Sequence, residues 1–263
     1  MNNTLVKGLR LLEELARSDR ALGITELSER LGLNKSNVHR MLQSLVELRY
    51  VHQDDESSAY RASLRLWEIG VAVLSHFDIR RLAEPFMQRL LQETRETVHL
   101  SILDEDEVVY IHKIESPEPV RAYTRIGGRA SAWCVATGKA MLAYEDPARL
   151  ALLASRLTRE TEHTITSADE FMSALERVRH KGYAVNRGEW QNGVHGVAAP
   201  IRGADRQVIA AVGISGPAER MKVSMFKALG ETVIHAANGI SHEFAHDPGG
   251  DAGPSSRGGL RRN

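Results

Sequence analysis

One stretch, LGITELSERLGLNKSNVHRMLQSLVELRY at residues 22–50, determines how the N-terminal part of this chain folds. Two segments with apolar residues at helical spacing flank Gly32, and a glycine here permits the tight turn of a helix-turn-helix. The second segment, residues 35–48, contains no Gly or Pro, so we expect one uninterrupted helix. Thr25 and Asn34 precede the two apolar patterns, and we expect their side chains to cap the helix starts.

The second of these helices has two chemically different faces. At about 100° per residue, Val38, Met41, Leu42 and Leu45 fall on one stripe. The opposite side carries short hydrogen-bonding or cationic side chains, the types that contact base edges and phosphates in a DNA major groove. The alternative is an ordinary amphipathic helix pair with a solvated polar face. We predict DNA contacts from these residues: Thr25, Asn34, Lys35, Ser36, Asn37, His39, Arg40, Gln43 and Ser44.

A two-stranded wing is predicted after this helix. Tyr50 and Val51 precede a polar, acidic turn at residues 54–58, and Tyr60 and Arg61 follow it. The wing and the glycine turn together favour DNA binding over the alternative. Acidic residues offset the basic residues of the segment, so the affinity must come from where the cations lie and from dimerisation, which doubles the contacts.

Two more helices are predicted around the helix-turn-helix. Residues 6–16 are amphipathic, with Leu9, Leu12 and Leu15 spaced for one face, and would pack under the helix-turn-helix. Residues 63–77 follow the wing directly and would join two domains. Their apolar face carries more large apolar side chains than an isolated linker would, so we expect it to pack against a partner chain. Its apolar positions are Leu64, Trp67, Val71 and Leu74.

The amino-acid composition is typical of a soluble globular protein. The 263 residues allow about two domains, and the formal net charge is zero. A single cysteine, Cys134, excludes an intrachain disulfide and is typical of a reducing compartment. No apolar run approaches the ~20 residues of a membrane span, and charges interrupt the N-terminus where a signal peptide would be apolar. We therefore expect a cytoplasmic protein without membrane contact.

The remainder of the chain alternates helical and strand-like patterns, which predicts an α+β domain. Helices are expected at residues 80–94, 136–142, 147–155, 168–181 and 225–245, and strands at 98–103, 108–114, 120–123, 183–185, 194–200 and 208–215. The first helix has apolar positions at Leu82, Phe86, Leu90 and Leu91, and the acidic residues 104–107 are expected to form a solvated turn. The predicted parts are a winged helix-turn-helix (1–62), a linker and dimerisation helix (63–78), an effector-binding domain (79–246) and a disordered tail (247–263).

No catalytic or metal motif is evident. The run ATGKA at residues 136–140 is not a phosphate loop, because Trp133 replaces the required glycine and Ala140 the required Ser or Thr. Cys134 is more typical of a small buried hydrophobe than of a nucleophile. Four histidines lack metal-ligand spacing: His99, His112, His163 and His195. We therefore expect no enzymatic activity, cofactor or metal.

Two stretches rich in small residues, 182–200 and 210–217, indicate a possible binding cavity. Strands lined with Gly, Ala and Ser let a ligand approach the backbone, whose N–H groups and hydroxyls can hold a carboxylate. The equally weighted alternative is that the small residues only allow helices to pack on the sheet.

Several of these segments resemble the IclR family of bacterial transcriptional regulators. In chain order they are LGLNKSNVHRML (31–42), GKAMLA (138–143), GYAVNRGE (182–189), VAAP (197–200) and ISGP (214–217). The resemblance implies an N-terminal winged helix-turn-helix, a linker helix and a C-terminal α/β effector domain similar to GAF domains. It also implies a dimer or tetramer, typically a repressor of a catabolic operon that a small metabolite releases.

The resemblance also implies an effector pocket that departs from the family's founding member. There, small acids are held by an alanine backbone, an aspartate, a cysteine and two serines. The corresponding positions in this chain are Thr137, Asn186, Gly196, Gly213 and Ser215. Since one serine is retained, we expect a roomier and less polar pocket that takes an aromatic or longer carboxylate. Further lining is expected from Tyr123, Ala130 and Trp133.

The sequence therefore predicts a ligand-responsive regulator that binds a roughly palindromic double-stranded DNA operator as a homodimer or homotetramer. A small organic carboxylate would be its effector, and repression of a catabolic operon its more typical action. The alternative is a small-molecule-processing enzyme that uses the winged helix as an interaction module. A catalytic constellation would favour that alternative, and the sequence shows none.

Overall fold

The computed structural model describes residues 3–75, 79–122 and 124–246, and it divides the chain into two compact units that meet between residues 77 and 78. We describe each unit by itself. Within the described ranges, no helix is long and apolar enough to cross a membrane. The predicted tail at residues 247–263 lies outside these ranges.

The first unit is a winged helix-turn-helix. Its elements are α1 (Asn3–Arg17), α2 (Ile24–Leu31), α3 (Lys35–Glu47), β1 (Val51–Gln53), β2 (Tyr60–Ala62) and α4 (Arg65–Ser75). β1 and β2 pair in antiparallel fashion, and an isolated bridge joins Leu22 to Tyr60. Apolar side chains from every element except α4 meet in one core: Leu11, Leu15, Leu22, Leu27, Val38, Met41, Leu42, Val51 and Tyr60.

The buried face of α1 differs from the prediction. Leu11 and Leu15 are buried, whereas Leu9, which was expected on the core face, is 51% exposed. Leucines occur on several sides of this helix, so their spacing alone does not choose a face. The contact of α1 with α2 and β2 makes that choice.

The helix caps also differ in part from the prediction. α2 begins at Ile24 after Gly23, and Thr25 lies in its exposed first turn without capping it. Asn34 does occupy the N-cap of α3, but its side chain makes no cap hydrogen bond. Gly32 ends α2 in the left-handed conformation (φ 62°, ψ 36°), which glycine adopts without a steric penalty, as the turn requires.

The second unit is a six-stranded antiparallel sheet with helices on its faces. The sheet contains β3 (Thr97–Asp104), β4 (Glu107–Ile114), β5 (Arg129–Ser131), β6 (Ala184–Arg187), β7 (Val194–Arg202) and β8 (Val208–Pro217), in the order β5-β4-β3-β8-β7-β6. The helices are α5 (Ile79–Thr94), α6 (Ala136–Leu142), α7 (Pro147–Ala154), α8 (Ala168–Lys181) and α9 (Phe226–His246). These elements confirm the predicted α+β class.

Two helical layers cover opposite faces of this sheet. The ring of His195 lies 5.6 Å from that of Phe226 in α9, while the next residue, Gly196, faces Ala136 of α6. Successive strand residues point to opposite faces, so α9 and α6 lie on different sides. α5 packs against α9, and α6 spans β3, β6, β7 and β8.

Two local predictions for this unit are wrong. Residues 120–122 form no strand, and β5 instead pairs with β4. The acidic turn forms at the surface as predicted, and in addition Arg129 forms ion pairs with Asp104 and Glu107, and Arg156 with Asp106. The buried face of α5 is centred on Ile79, Ala83, Met87 and Leu90, so only Leu90 of the expected positions is fully buried.

The glycine of the motif GKAMLA, Gly138, has a packing role that does not involve phosphate binding. A Cβ atom at this position would lie 2.1 Å from the carbonyl oxygen of Ala132, so the backbone of α6 can approach only because the side chain is absent. Around this approach, α6 is fully buried.

We predict that Gly138→Ala destabilises the second unit. The added methyl group cannot avoid the Ala132 backbone, and overpacking of this kind costs about 1–3 kcal/mol or more. Thermal unfolding should show a lower Tm for this unit. Gly8→Ala in α1 is the control, because nothing lies within 4 Å of the added Cβ. An unchanged Tm for Gly138→Ala would contradict the close packing described here.

Candidate functional site

The polar side of α3 forms an exposed surface. Of the residues predicted to contact DNA, Asn37 is half-buried and the others are exposed. Their mutual contacts are long: Arg40 donates to Asn37 Oδ1 at 3.3 Å, and Gln43 Nε2 lies 3.4 Å from His39 Nε2. Because such exposed hydrogen bonds contribute little, these side chains can reorient toward another partner at small cost. Val38, Met41 and Leu42 anchor the helix from the buried side.

The basic side chains of this unit differ in whether they form ion pairs. Arg30 pairs with Glu14 and Glu26, and Arg20 also pairs with Glu26. Within the described ranges, Lys35 and Arg40 form no ion pair. The unit therefore keeps uncompensated cations on α3 although its overall charge is balanced.

The wing tip is ordered and acidic. Asp54 Oδ1 accepts hydrogen bonds from the backbone N–H and the hydroxyl of Ser57, at 2.8 and 2.7 Å. These bonds hold the pKa of Asp54 below its usual value. The neighbouring Asp55 and Glu56 add negative charge, which disfavours contact between the tip and phosphates. The polar face of α3 is thus the better candidate for a DNA surface.

A cavity lies in the second unit between the sheet, the start of α6 and residues 190–194. It encloses about 460 Å³, part of it open to solvent. Five of the residues predicted for an effector pocket line it: Thr137, Asn186, Gly196, Gly213 and Ser215. Three neighbouring strands, β6, β7 and β8, together with α6, thus bring these residues to one place.

Two of the other predicted lining residues lie elsewhere. The indole N–H of Trp133 donates to the carbonyl of Thr158 at 3.2 Å, and its ring packs in the core around α6. Ala130 is buried in the same core, on β5 opposite Val108. Both residues precede α6 in the chain, and the structure buries them in the core rather than in the cavity wall. Tyr123 lies outside the described residues.

Two polar groups of the cavity wall are available to a ligand. The Thr137 hydroxyl is buried, and the described part of the chain offers it no hydrogen-bond partner. Asn186 Oδ1 accepts the N–H of Glu189 at 2.8 Å, which fixes the amide and leaves its NH₂ group without a partner among the described residues. Buried polar groups without partners are rare, and such a group at a cavity indicates a bound ligand or water.

The sequence analysis missed the histidine of this cavity, His99 on β3. It is 4% exposed, with Nε2 2.5 Å from Ser215 Oγ and Nδ1 3.1 Å from Thr124 Oγ1. Burial, with a smaller contribution from Lys113, lowers its pKa to about 3. The signal was a polar residue between Val98 and Leu100 in a buried strand. With His99 and Thr124 in the wall, the cavity is more polar than expected.

A buried ion pair holds the segment beside the cavity. Lys139 of α6 pairs with Glu189, and both side chains are less than one tenth exposed. The carbonyl of Glu189 also accepts the Thr164 hydroxyl at 2.7 Å. The next two residues, Trp190 and Gln191, line the cavity, so this ion pair fixes the start of that wall.

Cys134 is not placed for catalysis. Its side chain is buried, and burial raises the pKa of the thiol to about 12, so the nucleophilic thiolate is not populated at neutral pH. Among the described residues, no three His, Cys, Asp or Glu side chains are grouped so that they could hold a metal ion.

Comparison with known proteins agrees with this geometry. The family model for the bacterial transcriptional regulator IclR C-terminal domain matches residues 71–242, and that for the IclR helix-turn-helix domain matches residues 4–55. The chain is 37% identical over 246 residues to the HTH-type transcriptional regulator KdgR of Escherichia coli K12, covering 93% of each chain.

Solved structures show the same similarity. The Thermotoga maritima IclR crystal structure matches with a TM-score of 0.78 and 27% identity, covering 94% of this chain and 100% of that one. An IclR homologue from Microbacterium hydrocarbonoxydans, in complex with 4-hydroxybenzoate, matches with a TM-score of 0.80 and 25% identity, covering 92% and 98%.

These matches span both units and confirm the resemblance carried by the sequence motifs. The chain belongs to the IclR family and is a ligand-responsive, DNA-binding transcriptional regulator.

Proposed function

We propose that this regulator binds a roughly palindromic double-stranded operator as a homodimer or homotetramer and represses a catabolic operon in the cytoplasm until a small organic carboxylate binds. In this proposal, residues 1–62 bind DNA, 63–78 link and dimerise, and 79–246 bind the effector. The exposed polar face of α3, with its uncompensated cations, is the observation that carries the proposal.

The dimensions of α3 support major-groove binding. Its 13 residues give a length of about 20 Å, and an α-helix fits the major groove. Arg40 lies centrally on the exposed face and Lys35 at its start. An arginine there can contact guanine with two hydrogen bonds, whereas a lysine at the start is closer to the phosphates.

The linker helix supports a dimer. Leu64, at its N-terminal edge, is 77% exposed, and Trp67 in α4 is 67% exposed. Ile69 and Val71 add to this apolar surface. Exposed apolar side chains grouped along one short segment are typical of a surface that another chain covers. A two-fold dimer presents two copies of α3, which doubles the cationic contacts of a chain without net charge.

The cavity supports a carboxylate effector. The Thr137 hydroxyl and the Asn186 amide can donate hydrogen bonds, which a carboxylate accepts. The structural relative in complex with 4-hydroxybenzoate supports an aromatic carboxylate as a first candidate.

We predict specific operator binding by the dimer. Since the symmetry of the protein is mirrored in its site, half-sites should lie about one helical turn apart or a multiple of it. A gel-shift titration with the DNA upstream of the gene should give a lower Kd than random DNA of the same length. Equal affinity for both fragments at physiological salt would contradict the proposal.

We predict different roles for Arg40 and Lys35. Arg40→Ala should cost about 1–3 kcal/mol and relax specificity at one position of each half-site, since it removes a base contact. Lys35→Ala should weaken all sequences alike and reduce the salt slope by about 1, since it removes a phosphate contact. Fluorescence anisotropy against single-base operator variants measures both effects.

The control for this pair is Arg177→Ala, which removes an exposed arginine from α8 of the other unit. It should leave the affinity and the salt slope unchanged. If Arg40→Ala weakens every sequence equally, the base-reading role is wrong.

We predict that Gly196→Leu abolishes the ligand response and leaves operator binding intact. A Cβ at this position lies 3.5 Å from Ala136 Cβ and 3.8 Å from Asn186 Cβ, so a longer side chain fills the cavity. A thermal-shift screen with 4-hydroxybenzoate, pyruvate and glyoxylate should raise the Tm of the unmodified protein only. Gly196→Ala adds one methyl group and controls for the loss of glycine. A retained ligand response in Gly196→Leu would place the effector elsewhere.

A further inference from the structure

The cavity can surround a carboxylate, yet its wall lacks a permanent cation. Within the described residues, neither Lys nor Arg lines it, and His99 is its one basic side chain. A carboxylate that leaves water without a counter-charge is costly to bury. A group other than a Lys or Arg side chain must therefore balance the charge of a bound anion.

His99 can take up a proton without moving. Both of its ring nitrogens face hydroxyl groups, Ser215 at Nε2 and Thr124 at Nδ1. A hydroxyl can donate to an unprotonated ring nitrogen and accept from a protonated one. Rotation of a hydroxyl hydrogen is therefore sufficient to accommodate imidazolium in this site.

The groups around His99 keep it neutral in the free protein. Lys113 lies opposite His99 in the sheet, and its ammonium donates to Glu115 at 2.7 Å and to the Thr124 carbonyl at 2.6 Å. Tyr110 of β4 stacks at 5.3 Å, and burial raises the pKa of its phenol to about 12, so it remains uncharged.

The other elements around His99 add no net charge. β8 contributes uncharged Gly213 and Ser215, and α6 contributes uncharged Thr137, since Lys139 is paired with Glu189. Within the described residues no carboxylate lines the cavity, so no anion of the wall offsets the desolvation of His99.

We propose that the cavity takes its carboxylate effector together with one proton from solvent, and that His99 carries this proton. The inference rests on the proposed effector class. In the complex, the protonated Nε2 donates to Ser215 Oγ, and the Ser215 hydroxyl donates to the carboxylate. The residue thereby selects for monoanions, because one proton balances one negative charge.

The expected magnitude is large enough to measure. At an effective dielectric constant of about 20, an anion about 4 Å away favours imidazolium by about a thousandfold. This moves half-protonation of His99 from about pH 3 in the free protein to about pH 6 in the complex. Between these values the affinity falls with rising pH, by up to about tenfold per pH unit, and above them it becomes constant.

Calorimetric titration of the full-length protein tests this inference. The probe is whichever of 4-hydroxybenzoate, pyruvate and glyoxylate raises the Tm, titrated at pH 5.5 and 7.5 in buffers of different ionisation enthalpy. We expect uptake of more than half a proton per site at pH 5.5, little at pH 7.5, and about a fourfold weaker Kd at the higher pH. Binding without proton uptake at both pH values overturns this inference and leaves the proposed function standing. Absence of binding by all three carboxylates at both pH values overturns both.

The variant His99→Gln identifies the group that carries the proton. Glutamine can donate and accept hydrogen bonds but does not titrate in this range, so its complex should show no proton uptake and a Kd independent of pH. Persistent uptake would assign the proton to the ligand and overturn the inference. Nitrogen NMR of the histidine rings in the unmodified protein tests the same point without a variant. We expect both nitrogens of His99 to be protonated in the complex at pH 5.5, and a neutral ring there contradicts the proposal.

Discussion

The approach of α6 to the Ala132 backbone at Gly138 fixes the geometry of the effector unit. Without a side chain at Gly138, α6 packs directly against the Ala132 backbone just after β5, and Ala136 at the start of this helix faces the strand at Gly196. The same helix carries Thr137 to the cavity and Lys139 to Glu189. One backbone contact thus positions a cavity-facing hydroxyl and the buried ion pair beside it.

In the DNA-binding unit, the placement of charged residues determines which surface is cationic. Arg20 and Arg30 are paired with acids of α1 and α2, whereas Lys35 and Arg40 on α3 are not paired with any described residue. A chain with zero formal charge can therefore present a local cationic surface. Weak nonspecific attraction is the physical consequence, because counterion release scales with the number of phosphates that are neutralised. Under the proposed function, discrimination would then come from base contacts made by the exposed face of α3.

Features with a local cause were predictable from the sequence. Gly32 marks the turn because few other residues adopt its backbone conformation, and the stripe from Val38 to Leu45 marks α3 because its period is helical. The chain's motifs also indicated five cavity residues. Features set by tertiary contacts were not predictable. The buried face of α1 depends on its partners, Trp133 is drawn into the core by its contact with Thr158, and His99 reaches the cavity through pairing with β8.

The tether at Glu189 has a consequence for how effector preference can diversify among related regulators. Lys139 and Thr164 hold the backbone at Glu189, and Gly188 and Gly193 flank the segment in conformations (φ 79° and 74°) that suit glycine. Trp190 and Gln191 thus project from an anchored frame into the cavity wall, and Trp190 also packs against the core. Gln191 is exposed, so a substitution there changes the polarity of the cavity at little cost in folding, whereas a substitution at Trp190 also removes contacts with the core. The architecture thus leaves a position at which the cavity wall can change without altering the buried ion pair that anchors it.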